Sequence, residues 1–251
     1  MPGGIRSTPG ILALALALLA IFTGAAAAQE ITLSLGDDGS LAARTIQLVV
    51  LVALLSIVPG LAIMLTCFPF LVTVLSILRM AIGLQQSPPN MLIVSLALFL
   101  TYYVMEPVFI EAWEVGLKPL SDGTMETQPA LTAALSPFRD FMAARIEPDT
   151  FIELASLRAG PGEPMAQLAP EAPLSVLIPS FLLSEIQRAF EIGFLIFLPF
   201  LIIDLVVAAI LMSMGMMMVP PAIVSMPFKL AFFVVADGWT LLSSALVRSY
   251  M

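Results

Sequence analysis

Two of the long stretches without a charged residue predict where membrane helices lie. They cover residues 45–78 and residues 205–228. Each is longer than the roughly 20 apolar residues that a helix needs to cross a bilayer. Prolines interrupt both stretches, and each proline removes a backbone hydrogen-bond donor. The pattern therefore predicts an all-α fold of membrane-associated helical hairpins with broken helices.

The first half of the chain contains two predicted spans. The first charge-free stretch predicts a helix near residues 46–67, followed by a second helical piece at residues 70–83. The next apolar run, residues 91–105, predicts the second span, which ends where Glu106 and Pro107 follow.

The second half is predicted as a helical hairpin. Residues 174–214 form a long helical region that Pro179 and Pro199 interrupt. The last span covers residues 226–246, and the two parts are joined by a turn in which methionine occupies five of the seven positions 212–218.

The helix after this turn is predicted to begin at Ser225 and Pro227, because serine caps helices and proline favours their first turn.

An acidic, proline-rich segment, residues 106–173, separates the two halves and contains no apolar run long enough to cross a bilayer. Ser136 followed by Pro137 predicts the start of one helix. Residues 149–158 predict a second, shorter helix, and the glycines and prolines of residues 160–164 predict a flexible connector.

Residues 1–28 have the features of a cleavable signal peptide. Arg6 supplies the positive charge, residues 11–22 the apolar core, and the alanines at 26–28 the cleavage site. The predicted organisation is this signal peptide, N-terminal membrane helices at 29–110, an acidic extracytoplasmic or assembly-facing insertion at 111–173, and a C-terminal helical hairpin at 174–251.

Composition narrows the functional classes. The chain is 60% hydrophobic and 11% charged, with a net charge of −8. Soluble domains average about 25% charged residues, so this is a membrane protein or a subunit of a larger assembly. An acidic chain is a poor match for nucleic acid. Histidine is absent and Cys67 is the single cysteine, so no metal or other cofactor is predicted.

Five ionisable residues lie in apolar surroundings in the C-terminal half: Glu185, Arg188, Asp204, Lys229 and Asp237. A charge at the centre of a membrane helix costs at least about 2.5–3.5 kcal/mol, so such groups usually have partners. We predict that Glu185 and Lys229 form an ion pair, within one chain or between subunits. The competing pairing joins Glu185 to Arg188 on the same helix.

Asp204 and Asp237 also suggest an alternative function, an aspartyl protease within the membrane, because two carboxylates that share a proton suit that chemistry. Neither residue has a glycine-rich flank, and Asp237 followed by Gly238 equally predicts a polar interruption of a helix.

The Met-rich turn, residues 214–218, has three interpretations. Its members are Met214, Gly215, Met216, Met217 and Met218. Methionine fills irregular gaps in cores. Thioethers also bind Cu(I), which would suit a small-solute or copper transporter. The third interpretation is a deformable gasket that seals a pore and yields to a passing chain.

Several motifs resemble one known family. They are QQSPPN at 85–90, PFRDFM at 137–142, Ser-Glu at 184–185, Ile-Gly-Phe at 192–194, MGMMMVPP at 214–221, MPFK at 226–229 and Asp-Gly-Trp at 237–239. In this order, across most of residues 45–250, they resemble the FliP family of flagellar type III export-gate proteins, which has homologues in virulence secretion. The signal peptide and the acidic insertion look like the flagellar branch.

The resemblance implies a non-enzymatic subunit of a multi-subunit helical export gate in the bacterial inner membrane, at the flagellar basal body. The implied partners are further copies of the chain, five in all, together with FliQ, FliR, other export-apparatus membrane proteins, lipid and unfolded flagellar substrates. The orientation is predicted from the order of the spans: a cleaved signal peptide leaves residue 29 outside the cytoplasm, and the first span then brings Arg79 to the cytoplasmic side. The same order puts the acidic insertion on the periplasmic side and the Met-rich turn on the cytoplasmic side.

The resemblance also assigns roles to residues. Met216, Met217 and Met218 would line the closed pore, and Gly215 would give the turn room to move. Subunit contacts would involve Glu185 and the aromatic residues Phe138, Phe141 and Phe190.

Overall fold

A computed structural model describes residues 41–84, 88–158, 167–216 and 218–251, and most of these residues are helical. The described part of the chain contains no β-strand, so the predicted all-α fold is confirmed. The predicted signal peptide and the connector at residues 160–164 lie outside the described residues.

Helices α1 (Leu41–Met64) and α2 (Phe68–Ile82) match the two pieces predicted from the first charge-free stretch. Helix α1 continues through Pro59. Pro69 lies in the first turn of α2, where a backbone N–H would make no hydrogen bond within the helix, so the proline breaks none.

The chain divides into two compact units, Met1–Val52 and Ala53–Met251, and all packing described below lies within the second.

Helix α3 (Asn90–Ala112) is longer than the sequence predicted. The predicted end at Glu106 and Pro107 is wrong, because Pro107 lies inside the helix. Glu106 is exposed, so its charge does not prevent the helix from continuing. A π-helical segment, Trp113–Leu117, and the short α4 (Lys118–Ser121) extend it further.

Helix α5 (Thr127–Arg145) packs against the π-helical segment. Gly116 permits a close approach there, since a Cβ at this position would lie 2.5 Å from the Cβ of Ala134. The predicted helix start at Ser136 is wrong: Pro137 is buried inside α5, where packing offsets its lost backbone hydrogen bond. The short helix predicted at residues 149–158 is confirmed as α6 (Pro148–Arg158).

Helix α7 (Leu174–Ser213) has 40 residues and contains both Pro179 and Pro199. The predicted interruptions at these prolines are therefore wrong. Each proline removes one internal hydrogen bond, but α7 packs against α2, α5, α6 and the helix that follows it, and these tertiary contacts offset the loss.

The end of the chain is a bent pair of helices, α8 (Pro221–Val235) and α9 (Gly238–Arg248). They meet at an angle of 62°, so residues 226–246 are not one straight helix, and Asp237 interrupts them as its sequence suggested. Asp237 has a φ of 49°, a left-handed conformation that α-helices do not continue through.

The core of the second unit is organised around α2, which contacts α3, α7 and α8. It packs closely against α7, where a Cβ on Gly193 would lie 2.4 Å from the Cδ1 atom of Ile77. Buried apolar side chains of α2 face these neighbours: Phe70, Leu71, Val74, Leu75, Leu78, Ala81 and Ile82.

Among the described residues, two continuous helical segments are long and apolar enough to cross a membrane, Asn90–Ser121 and Leu174–Ser213. The bent pair α8 and α9 makes a third if it counts as one broken span. These helices fit a membrane protein.

Candidate functional site at the hairpin and the Glu185 cluster

The Met-rich turn follows directly from the end of α7. The amide of Met214 donates to the carbonyl of Ile210 at 3.1 Å, and the amide of Met216 donates to the carbonyl of Leu211 at 3.0 Å. Gly215 has a φ of +76°, the left-handed conformation in which glycine commonly ends a helix. The turn predicted around Gly215 is confirmed.

The return helix begins earlier than predicted. Helix α8 starts at Pro221, directly after Pro220, so the start predicted at Ser225 and Pro227 is wrong. Pro221 is already suited to the first helical position, since its missing N–H would have no partner there. Ser225 instead turns its hydroxyl towards α7 and donates to the carboxylate of Asp204.

The described methionines of the turn are not core residues. Met214 is 61% exposed, Met216 42% and Met218 97%. Met217 lies outside the described residues. Much of the surface of these thioether side chains is thus uncovered within this chain, which disfavours plain core packing as their role.

Behind the turn, one ion pair joins α7 to α8. The Nζ atom of Lys229 lies 2.6 Å from the Oδ2 atom of Asp204 and 3.2 Å from the carbonyl oxygen of Ala81. Lys229 is buried, so its ammonium has exchanged water for these two acceptors. The ion pair thus holds α7, α8 and the end of α2 together.

This pairing corrects the prediction for Glu185 and Lys229. Within the chain, Lys229 pairs with Asp204, and Glu185 pairs instead with Arg188 at 3.3 Å, which was the competing alternative. The spacing of residues 204 and 229 could not identify the pair from sequence, since it depends on how the Met-rich turn folds back.

Asp237 has a separate environment at the bend between α8 and α9. It is exposed, and its carboxylate accepts a hydrogen bond from the hydroxyl of Thr240 at 3.2 Å. Asp204 has Lys229 and Ser225 as its partners. Each carboxylate is thus satisfied by its own neighbours, an arrangement that does not favour the shared proton of an aspartyl protease.

The Glu185 cluster, formed by Glu185, Arg145, Arg188 and Tyr250, is a second polar centre. Glu185 is fully buried, and its Oε1 atom lies 3.2 Å from the Nε atom of Arg145 and 3.3 Å from the Nη1 atom of Arg188. The hydroxyl of Tyr250 donates to its other carboxylate oxygen. The buried carboxylate therefore has two cations as partners and accepts a further hydrogen bond from a phenol.

Sequence reasoning missed Arg145 and Tyr250. Arg145 also donates to the carbonyl oxygen of Ser249 at 2.8 Å and lies 4.0 Å from the centre of the Tyr250 ring. Burial and the Glu185 carboxylate raise the pKa of Tyr250, which keeps the phenol protonated as a donor. The scarcity of cations in the sequence could have pointed to Arg145 as a partner for a buried acid.

The three predicted contact phenylalanines have different environments. Phe138 packs against Phe109 with ring centres 5.8 Å apart, and Phe141 lies between Phe181 and Tyr250. These two phenylalanines thus stabilise the fold of the chain itself. Phe190 is 60% exposed, which leaves most of its ring available to a neighbour.

An apolar cavity of about 600 Å³ lies inside the hairpin between α7 and α8. Met214 lines it together with Ile203, Val207, Leu211, Val224, Phe228 and other apolar residues. The hairpin is thus loosely packed next to the turn, while the Asp204–Lys229 pair joins its two helices at its base, further from the turn.

Comparison with known proteins identifies the family. The FliP family model matches residues 51–246, which include the hairpin, its ion pair and Glu185. The chain belongs to the FliP family. The flagellar biosynthetic protein FliP of Caulobacter vibrioides is 48% identical over 250 residues, covering 98% of this chain and 92% of the relative.

Two further relatives carry the same description. The FliP protein of Agrobacterium fabrum is 45% identical, with 94% of this chain and 97% of the relative aligned. The FliP protein of Bacillus subtilis is 40% identical, with 85% and 96% aligned. The resemblance inferred from the motifs is confirmed, and the agreement extends well beyond them.

Proposed function

We propose that this FliP-family chain is a non-enzymatic membrane subunit of the flagellar protein export gate, and that its Met-rich turn closes the channel. The observation that carries the proposal is the exposed turn of thioether side chains at the tip of a hairpin with an ion pair at its base. The family and the names of the relatives supply the process, flagellar biosynthesis.

Assembly with further copies, FliQ and FliR is part of this proposal, and the apolar surface that the isolated chain exposes supports assembly. On α7 alone, Phe190, Phe194, Leu195 and Leu205 are each at least 60% exposed. Apolar surface of this extent needs lipid or protein to cover it. We propose that part of it forms contacts between subunits, with Phe190 at such a contact and five copies in the gate.

The Met-rich turn suits a deformable seal because methionine side chains are flexible and polarisable. Turns repeated around a symmetry axis would bring several thioethers together at the centre and exclude water and ions. Gly215 lies at the end of α7 with no atom near the position of a Cβ, so the turn has space to move when a polypeptide passes.

The test is permeability of the assembled gate to small solutes in the absence of substrate. Replacing Met216 and Met218 with alanine should allow leakage, whereas Met91→Ala, which alters an exposed methionine outside the turn, should not. If the double variant assembles fully and stays sealed, the Met-rich turn does not close the channel.

A copper transporter remains the alternative explanation of the same thioethers. Cu(I) would then raise the thermal unfolding temperature of the purified chain, and the Met216 and Met218 replacements would abolish that increase. A gasket predicts leakage in these variants without any response to copper.

A further inference from the structure

A small cavity near the C-terminal end of α2 brings together two basic side chains. We call it the Arg79 pocket. It has a volume of about 320 Å³ and lies between α2 and the start of α8. Its lining residues are Arg79, Met80, Gly83, Leu84, Ala222, Ile223, Met226 and Lys229, with no acidic residue among them.

The guanidinium of Arg79 is held in place by neutral groups. Its Nη1 atom donates to the side-chain oxygen of Asn90 and to the carbonyl oxygen of Pro88, the latter at 3.4 Å. A guanidinium has five N–H donors. Within the described residues, the Nε and Nη2 atoms of Arg79 donate to no acceptor, so the group is positioned but retains hydrogen-bonding capacity.

The charge of Arg79 is also uncompensated. The ion pairs of the described residues join Arg145 and Arg188 to Glu185, and Lys229 to Asp204. Arg79 belongs to none of them. With Lys229 neutralised by Asp204 beside the pocket, Arg79 leaves a net positive charge there, and a partly buried cation of this kind is stabilised by an anion.

We propose that the Arg79 pocket binds the phosphate headgroup of an anionic phospholipid. Guanidinium groups bind phosphate oxygens through paired, charge-assisted hydrogen bonds. Basic pockets between membrane helices are recurrent sites for acidic lipid headgroups.

The surroundings of the pocket favour a lipid over a free anion. Met80 and Ile223 line the pocket and are 61% and 67% exposed, so they present apolar surface beside the cation. A phosphodiester headgroup would contact Arg79 while its acyl chains cover these side chains. A free phosphate would leave both exposed.

Native mass spectrometry of the full-length chain in detergent tests the site. We expect phosphatidylglycerol to remain bound where phosphatidylcholine is lost, and Arg79→Gln to reduce its retention about tenfold, as expected for a lost charge-assisted contact. Arg158→Gln is the matched control, because Arg158 is also in the last turn of a helix and is exposed. It should leave retention unchanged.

A second pair of variants separates binding from folding. Ile223→Glu places a carboxylate on an exposed position beside the cation, so it should lower retention with Arg79 intact. Asn90→Ala removes the hydrogen bond that holds Arg79 but keeps the charge, and it should retain the lipid. If Asn90→Ala and Arg79→Gln both unfold the chain, while Ile223→Glu binds normally, Arg79 is only a structural link and the proposal is wrong.

The remaining outcomes decide the source of the anion. Equal retention of phosphatidylcholine would show that the net charge of the lipid is not recognised. Inorganic phosphate that binds to the lipid-free chain and displaces phosphatidylglycerol at millimolar concentration would identify a free-anion site. Either result would overturn the lipid proposal, and neither depends on whether the Met-rich turn closes a channel.

Discussion

Lys229 lies buried against α7, and among the described residues its acceptors are the carboxylate of Asp204 and the carbonyl oxygen of Ala81. Removing one member of such a pair leaves the other charge buried without compensation, which costs more than the intact pair contributes. At the residue scale, the stability of the hairpin therefore depends on both partners being present.

Asp204→Asn should lower the free energy of unfolding by about 3–5 kcal/mol, because the Lys229 ammonium keeps its burial but loses its counter-charge. Denaturant unfolding of the detergent-solubilised chain measures the loss. Asp149→Asn, at an exposed position, is the control and should change little. The double variant Asp204→Leu with Lys229→Met should be less destabilised than Asp204→Asn, and a larger loss would contradict this account.

Cys67 should not react with maleimide while the chain is folded. Its side chain is fully buried, and burial raises the pKa of the thiol, so little of the reactive thiolate is present. As a control, Met218→Cys in a Cys67→Ser background places a thiol at an exposed position. Raising the pH from 7 to about 9 should speed labelling of this control, following an ordinary thiol pKa of about 8.5. Equal labelling rates for the two proteins would contradict the burial of Cys67.

At the element scale, sequence and structure agree on which segments are helical and differ on where the helices end. Pro107 was expected to end a helix, Pro137 to begin one, and Pro179 and Pro199 to interrupt one, yet all four lie inside helices. A proline removes only one internal hydrogen bond, and packing against other helices determines whether that loss is tolerated. This packing involves residues distant in sequence.

Glycine positions test the packing of α2 against α7. Gly193→Val should destabilise the chain, because even a Cβ there would lie 2.4 Å from Ile77. Ile77→Ala in the same chain should recover part of the loss by removing the clashing atoms. Gly60→Ala is the matched control: Gly60 is in a helix with no atom within 4 Å of the added Cβ, so a stabilisation of about 0.5–1 kcal/mol is expected. Thermal unfolding of the three variants measures these changes, and a neutral Gly193→Val would contradict close packing of α2 and α7.

At the scale of the whole molecule, the motifs of the sequence identified the family, and its charge pattern identified the five ionisable residues of the apolar C-terminal half. Neither showed how those residues pair. Arg145 and Tyr250 approach Glu185 from the end of α5 and from beyond α9. Such contacts follow only from the arrangement of complete helices, and so does the pairing of Lys229 with Asp204. The role proposed for the Met-rich turn, in contrast, involves neighbours outside the single chain.

The orientation of the chain is the last property that the sequence predicts, with the acidic insertion in the periplasm and the Met-rich turn towards the cytoplasm. The acidic side chains of the insertion are largely exposed, including Glu114, Glu126 and Glu153, and such a face belongs in water.

In a Cys67→Ser background, Glu126→Cys should therefore react with a membrane-impermeant maleimide in cells whose outer membrane alone is permeabilised. Met218→Cys should react only after the inner membrane is opened as well, although both positions are exposed in the chain. Gel-shift labelling of the two variants measures this difference. If Met218→Cys were labelled from the periplasm while Glu126→Cys was not, the predicted orientation would be wrong, and the Met-rich turn would lie on the periplasmic side.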